Sequence, residues 1–324
     1  MTRFQRDLAD AVRPREAAVL DEDGIAPHVL RTRRWERTSR GLYVLAGARR
    51  SAAQRIVAAA ALLPPDGVVG GWAAAHVHGV DLLDGLDRRG QELPVDVLLP
   101  PGLHRQHLSG VRYRRATFAP GDRVEVEGLP VTSRARTAAD LACGASSTTE
   151  ATVFLDLLVA AGLQPAELEA VLLRGRRGAV QAREAIALTR GGSLSPGETR
   201  LRLLYVEQAP DARIHLNPTL AERDGRFVAM PDLFDEDAGL ALEYDGATWD
   251  GERSAGHRDP EQHREDNVRE EAMERLGVVV VRAGAGDLGA HRVQTAYRMR
   301  RARLDGLGRD RSRDRWVLRP RVER

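Results

Sequence analysis

The sequence predicts an α/β multidomain protein with three parts: an N-terminal winged helix-turn-helix, an α+β middle region, and a C-terminal domain with the element order αβββαβα. Three observations carry this prediction. The chain has 324 residues, enough for two or three domains of about 100–200 residues each, and its 42% hydrophobic content supports packed cores. The hydrophobic period also changes along the chain, from short helical patterns beside a strand pair to longer helices mixed with apolar strands. Finally, the loop "TRGGSLSPGE" at residues 189–198 punctuates the chain before a last block of elements. The boundaries that follow are residues 1–48, 49–190 and 191–308, with a basic, mobile tail at 309–324.

In chain order, "PREAAVLDEDG" and "IAPHVLRTRRW" predict two short helices separated by Gly24, and "WERTSRGLYVLAG" predicts a two-stranded wing. In such a unit the second helix enters a major groove while arginines of the wing touch phosphates, so Arg31, Arg33, Arg34, Arg37 and Arg40 are candidate nucleic-acid contacts. The alternative is a small helical cap with a solvated arginine face.

The middle region predicts helices at residues 51–63 and at "GWAAAHVHGV", strands at "PVDVLLP" and "GVRYRRA", and a helix capped near Thr132 or Ser133. Helices follow at "TEATVFLDLLVAAG" and "PAELEAVLLR". His76 and His78 lie two apart on a helix and point in different directions, which fits packing or capping better than shared metal ligation.

From Ser195 the pattern is a helix with Leu201, Leu204 and Tyr205 on one side, then strands at "IHLNPTL", "RFVAMPDLF" and "GLALEYDG". A helix at "EQHREDNVREEAMERLG" follows, with Val268, Ala272 and Leu276 expected inward. "VVVVRAG" is a fully apolar strand, expected at the centre of the sheet, and the last helix begins near Asp287.

Composition excludes several function classes. No run approaches the roughly 18 apolar residues of a membrane span, and "MTRFQRDLADAVRPRE" lacks the apolar core of a signal peptide, so a cytoplasmic protein without a membrane partner is expected. Cys143 is the single cysteine, which excludes an intramolecular disulfide and any multi-cysteine zinc site. Every basic residue apart from histidine is arginine. The net charge of +2 conceals segregation: residues 31–50 carry +6, residues 291–324 carry +8, and residues 232–274 carry −11. Basic ends suit phosphate, and an acidic centre suits a cation.

The acidic centre contains a specific problem. If the hairpin in "MPDLFDEDAGLALEYDG" turns symmetrically, Leu233 faces Leu242 and Asp232 faces Glu243, two carboxylates about 5 Å apart on one sheet face. A hard divalent cation offsets such repulsion, and magnesium commonly takes one or two carboxylates plus water and phosphate oxygens. Asp245 shares the face of Glu243 by the strand period, while Leu240, Leu242 and Tyr244 face the other way. Glu198 is read either as the third member of a capping box with Ser195 or as a further metal ligand.

Those residues carry a resemblance. Ser195-Pro196-x-Glu198, then Pro231-Asp232, then Glu243-Tyr244-Asp245-Gly246, then a helix and the strand at 278–282 resemble the PD-(D/E)xK nuclease fold, and more closely the domains related to very-short-patch-repair endonucleases. Upstream, "SRGLYVLAG", "GWAAAHVHGV" and "GLPVTSRARTAADLA" resemble the antitoxin of AbiE-type (type IV) toxin-antitoxin systems.

The first resemblance implies a restriction-endonuclease-like domain that hydrolyses phosphodiester bonds of double-stranded DNA with Mg2+ or Mn2+. Asp232, Glu243 and a Tyr244 carbonyl would hold the metal, Glu198 would act through water, and Asp245 or His263 would orient the nucleophile. The motif lysine is absent, its place being Asp245, and a histidine that relatives carry after Asp-Gly is replaced around Thr248 and Trp249. The second resemblance implies instead an antitoxin or transcriptional repressor with an inactive nuclease fold and a nucleotidyltransferase toxin as partner.

Overall fold

The computed structural model describes residues 1–39, 41–47, 51–87, 89–103, 105, 108–164, 166–168, 177–246 and 260–319; the side chains of 260–267 lie outside the described residues. The protein is a mixed α/β structure with several sheets, and it divides into two compact units, Met1–Ile186 and Ala187–Arg324. Among the described residues no helix is long and apolar enough to cross a membrane.

The first unit begins with α1 (Arg3–Ala9), opened by a capping box in which Thr2 and Gln5 satisfy each other's backbone N–H groups. Then come β1 (Arg15–Glu16), α2 (Ala17–Glu22), β2 (Trp35–Ser39) and β3 (Leu42–Leu45), forming a small sheet in the order β1-β3-β2. The expected strand pair is present. The expected second helix is reduced to a 3-10 turn, Val29–Arg31. Pro27 disfavours helical backbone at Ala26, and the Thr32 hydroxyl donates to the Val29 carbonyl at 2.7 Å, closing the turn as Thr32 becomes extended.

After α3 (Ala52–Ala60), the remaining strands are β4 (Val68–Gly70), β5 (Val95–Leu99), β6 (Val111–Arg115), β7 (Arg123–Val126) and β8 (Leu129–Thr132). They form a five-stranded sheet in the order β6-β5-β4-β8-β7, with α4 (Gly71–Val77) between β4 and β5 in the chain. The helices α5 (Arg134–Gly144), α6 (Thr148–Ala160) and α7 (Ala179–Leu188) follow. Ser133 caps α5, accepting the Arg136 N–H, as the sequence indicates. Most of the predicted helix "PAELEAVLLR" lies outside the described residues. Phe4 of α1 is fully buried with Ile56, Val69, Val97 and Val131, so α1 packs into the core of the sheet that follows.

The second unit opens with α8 (Pro196–Gln208). Asn217, with φ +47°, breaks the expected strand "IHLNPTL" into β9 (Ile214–Leu216) and β10 (Thr219–Glu222), which join different sheets. β11 (Phe227–Ala229), β12 (Leu233–Asp235), β13 (Leu240–Asp245), α9 (Pro260–Arg275), β14 (Val279–Gly284) and α10 (Arg292–Leu307) follow. The main sheet runs β14-β13-β12-β9, antiparallel except for the parallel β13/β14 pair. Leu201, Leu204 and Tyr205 of α8 and Met299 of α10 pack on one face with Leu240 and Leu242. Met273 and Leu276 of α9 pack on the other with Phe234 and Ala241.

Three expectations are corrected here. The strand at 278–284 is an edge strand with Val279 38% exposed, because helices cover its faces and, among the described residues, no further strand joins it. Val268 is 61% exposed, since Met273, not Val268, completes the inward stripe of α9. The basic end is not a mobile tail as far as Arg319: β15 (Trp316–Arg319) pairs antiparallel with β10, and Trp316 meets the Phe234 ring edge-on at 4.9 Å. Burial of Trp316 and Leu318 against Phe234 and Leu220 holds it there.

Trp316→Ala removes this aromatic contact and half-buried ring surface. It should lower the unfolding free energy by roughly 2 kcal/mol in urea titration. An unchanged midpoint would show that β15 adds nothing to the unit.

Candidate functional site

The site is set by the β12/β13 hairpin. Leu233 pairs with Leu242, Phe234 with Ala241 and Asp235 with Leu240, the register that the sequence suggests; Asp232 lies just before β12, and that register continued by one residue sets it beside Glu243. Asp235 fixes the turn. It is fully buried, accepts the N–H groups of Asp237 and Ala238 through Oδ1, and takes the Tyr205 hydroxyl at 2.5 Å and Arg303 Nε at 3.1 Å through Oδ2. Burial and the adjacent Asp235 carboxylate raise the Tyr205 pKa, which keeps its hydroxyl protonated as the donor.

Three of the predicted acids, Asp232, Glu198 and Glu243, have one oxygen engaged. Asp232 Oδ2 accepts the Tyr244 N–H at 2.7 Å. Glu198 Oε2 accepts the Leu194 N–H at 2.8 Å and Asn217 Nδ2 at 2.9 Å, while Ser195 Oγ accepts the Glu198 N–H at 3.2 Å. Ser195 caps α8 as expected, but the capping box is not closed, because the Glu198 carboxylate takes the Leu194 N–H instead of that of Ser195. Glu243 is 6% exposed; its Oε2 lies 3.3 Å from Arg282 Nε and 3.4 Å from Arg269 Nη2. The other oxygens, Asp232 Oδ1, Glu198 Oε1 and Glu243 Oε1, bond to no described residue.

The Asp232 pKa is pushed up to about 7. Burial is the main cause, with the Glu198 carboxylate next and Glu243 adding to it, against the opposing Tyr244 N–H. This is the electrostatic signature of like charges brought together without full compensation.

The match to the sequence expectation is nonetheless partial. Among the described residues, no group of three or more His, Cys, Asp or Glu side chains is arranged to hold a metal ion. Asp245 is half-buried at the end of β13, opposite Gly284 of β14. The Tyr244 carbonyl accepts the Gly246 N–H at 3.1 Å, and the Tyr244 ring packs against Gly197, where a Cβ would overlap it. The His263 side chain and Thr248, Trp249 and His257 lie outside the described residues.

The sequence reading misses Arg269 and Arg282, which supply part of the positive charge it assigns to a metal. Arg282 stands beside Glu243 in the parallel β13/β14 register and also meets Glu270 at 3.2 Å. The arginine ending "VVVVR" is a signal, but only the register of β14 reveals its neighbour.

In the first unit Arg31, Arg33, Arg34 and Arg37 are exposed, on the 3-10 turn, the following turn and β2. Arg37 Nε donates to the Ser39 carbonyl at 3.1 Å; Arg31, Arg33 and Arg34 form no ion pair with a described residue. Arg40 lies outside the described residues. His76 and His78 are buried in core positions, not paired: His76 is edge-on to Phe4 at 5.9 Å, and His78 Nε2 donates to the Thr132 carbonyl at 2.7 Å.

No protein-family profile matches the chain, and no curated protein matches it. Among solved structures, the RV2827C protein from Mycobacterium tuberculosis is similar at 15% identity over 61% of this chain and 78% of its own, with a TM-score of 0.37. A likeness at that level decides nothing about function.

The raised Asp232 pKa makes stability depend on pH. The folded state holds this proton up to about pH 7, whereas the unfolded chain releases it near 3.8, so the contribution is full below pH 4 and is lost as pH rises through 7. Asp232→Asn keeps an acceptor for Tyr244 N–H and removes the charge. At pH 8 it should be more stable than the parent by roughly 1–3 kcal/mol, and the difference should shrink at pH 4. A pH-independent difference in chemical denaturation would refute this origin.

Proposed function

We propose that the protein binds double-stranded DNA through its N-terminal arginines and carries a PD-(D/E)xK endonuclease-like domain directed at phosphodiester bonds. The observation that carries this reading is the Leu233/Leu242 register, which continued by one residue sets Asp232 beside Glu243, with the Asp232 pKa pushed up to about 7 by burial and neighbouring acids. Further support comes from α8 preceding a β9-β12-β13 antiparallel meander and a parallel β14 reached through α9, an order that fits the αβββαβ expectation.

The donor set fits one hard divalent ion in the two-carboxylate mode that leaves room for water and phosphate. Asp232 Oδ1 and Glu243 Oε1 would hold Mg2+ or Mn2+, which when bound would polarise the scissile phosphate and lower the pKa of an attacking water. Glu198 would act through a bound water, its Oε2 being anchored by Leu194 and Asn217. Tyr244 N–H and Asn217 orient the acids, and Asp245 or His263 would place the nucleophile. Because Asp232 must ionise, metal affinity should fall about tenfold per pH unit below 7.

A second reading is favoured by a specific observation. Arg269 and Arg282 already meet Glu243, and the chain has no lysine for the motif. In that reading the domain is inactive, and the protein is a transcriptional regulator or AbiE-type antitoxin with a nucleotidyltransferase toxin as partner.

Thermal unfolding with MgCl2 or MnCl2 and a plasmid-cleavage assay separate the two. The nuclease reading expects a metal-dependent rise in Tm and cleavage, both abolished in Glu243→Gln and Asp232→Asn. Metal-free Glu243→Gln should itself lose roughly 1 kcal/mol, because two guanidinium groups lose their carboxylate. No metal response together with no cleavage leaves the regulator reading.

DNA binding is tested separately. Replacing Arg33, Arg34 and Arg37 together with alanine should weaken binding to any duplex and reduce the slope of log K against log salt by about one unit for each phosphate no longer neutralised. Anisotropy titrations at several salt concentrations measure both, and an unchanged slope removes these arginines from the interface.

A further inference from the structure

The ion pairs at Glu243 are longer than those of several other arginines in the protein. Arg282 Nε and Arg269 Nη2 lie 3.3 and 3.4 Å from the same oxygen, Oε2. Elsewhere Arg136 meets Asp122 at 2.6 Å, Arg292 meets Glu207 at 2.7 Å and Arg309 meets Asp314 at 2.9 Å. A charge-assisted bond between guanidinium and carboxylate is about 2.7–2.9 Å long, and it weakens as it stretches. Glu243 is buried with two cations beside it and a close bond to neither.

The two arginines are held differently. Arg282 belongs to β14, where its backbone stands in register with Glu243, and its Nε also lies 3.2 Å from Glu270. Its side chain is 23% exposed. Arg269 comes from α9, rooted one turn before the fully buried Met273, and its side chain is 43% exposed. A long side chain with a fixed root and a solvated head changes rotamer readily. Arg282 is part of the wall of the site, and Arg269 is the cation able to exchange partners.

Arg269 also acts on the second acid. Its charge opposes the rise of the Asp232 pKa, so it lies within electrostatic reach of both carboxylates. A divalent ion held by Asp232 and Glu243 is repelled by a guanidinium in that place and competes with it for Glu243. A phosphate group has the opposite effect, because the planar fork of arginine matches two phosphate oxygens and offers the guanidinium a better partner than a 3.4 Å contact. The ion gains when Arg269 leaves Glu243, and phosphate is what draws Arg269 away.

We propose that Arg269 is an exchangeable cation that couples phosphate binding to divalent-ion binding at this site. It neutralises part of Glu243 until a phosphodiester phosphate takes its guanidinium, and Glu243 is then released to the ion. Arg282 stays between Glu243 and Glu270 throughout. This rests on the nuclease reading's assignment of Asp232 and Glu243 to the metal, and it adds that ion and phosphate each raise the affinity of the other by the same factor.

The experiment titrates the full chain by isothermal calorimetry with MnCl2, with thymidine 3′,5′-bisphosphate, and with each in the presence of the other. Protein-free titrations subtract the direct association of ion and nucleotide. In the parent, each ligand should raise the affinity of the other by at least about fivefold. In Arg269→Ala, Mn2+ alone should bind as tightly as in the parent or more tightly. The bisphosphate should bind to it at least about fivefold more weakly, and the mutual enhancement should fall below about twofold. Arg269→Lys, which keeps the charge without the fork, should give an intermediate coupling and carries the test if alanine lowers the unfolding midpoint.

Independent binding of the two ligands in the parent, coupling that survives Arg269→Ala, or weaker Mn2+ binding to that variant overturns the proposal, while metal binding and plasmid cleavage by the parent still support the nuclease reading. Coupling that is lost in Arg269→Ala supports the proposal even where the parent cleaves nothing, an outcome that removes catalysis alone. No Mn2+ binding by either protein, with or without the bisphosphate, overturns both.

Discussion

The buried Asp235 carboxylate governs the second unit. It binds its own turn through two N–H groups, and it draws in Tyr205 from α8 and Arg303 from α10. With these groups in place the hairpin has one register, because a slip of one residue would turn every side chain of β13 to the wrong face. Leu240 and Leu242 then meet α8, and Ala241 meets α9. The position of Asp232 opposite Glu243 is a consequence of that register, so the candidate site inherits its geometry from a turn at the far end of the hairpin.

The opposed carboxylates are relieved in more than one way. Glu243 is met by Arg269 from α9 and Arg282 from β14, while Asp232 lies beside Glu198 and keeps a raised pKa. A charge pair held this way leaves Asp232 as the unrelieved member. In a purely structural ion pair both carboxylates would be compensated by cations. The uneven compensation explains how the same residues support two functional readings: the arginines reduce what a metal has to neutralise.

The two ends of the chain show how tertiary context redirects local preference. The 3-10 turn at Val29–Arg31 replaces a helix because the segment is short, contains Pro27 and is closed by the Thr32 hydroxyl. At the other end, a charge-rich stretch that resembles a solvated tail holds Trp316 and Leu318, enough apolar surface to dock as a strand beside β10. Arginine dominates both regions in the sequence. Only packing separates the exposed set near residue 33 from arginines such as Arg303 and Arg309, which are tied to Asp235 and Asp314.

Much of the fold was legible in the chain itself. The helical stripe of Leu201, Leu204 and Tyr205, the Ser133 and Ser195 caps, and the hairpin with Leu233 facing Leu242 follow from spacing, because period, capping and turn symmetry are local properties. The candidate acids Asp232, Glu243 and Glu198 were legible for the same reason, as charged interruptions and cap positions in otherwise apolar segments. Tertiary structure alone decided their partners. Arg282 reaches Glu243 through a parallel pairing with no local signature, Arg269 arrives from a helix and lies 26 residues from Glu243 in sequence, and "VVVV" became an edge strand because, among the described residues, no further strand joins it. The reason is physical: a sequence encodes which face of an element is apolar, but the net charge of a site depends on which distant cations the packed faces bring to it.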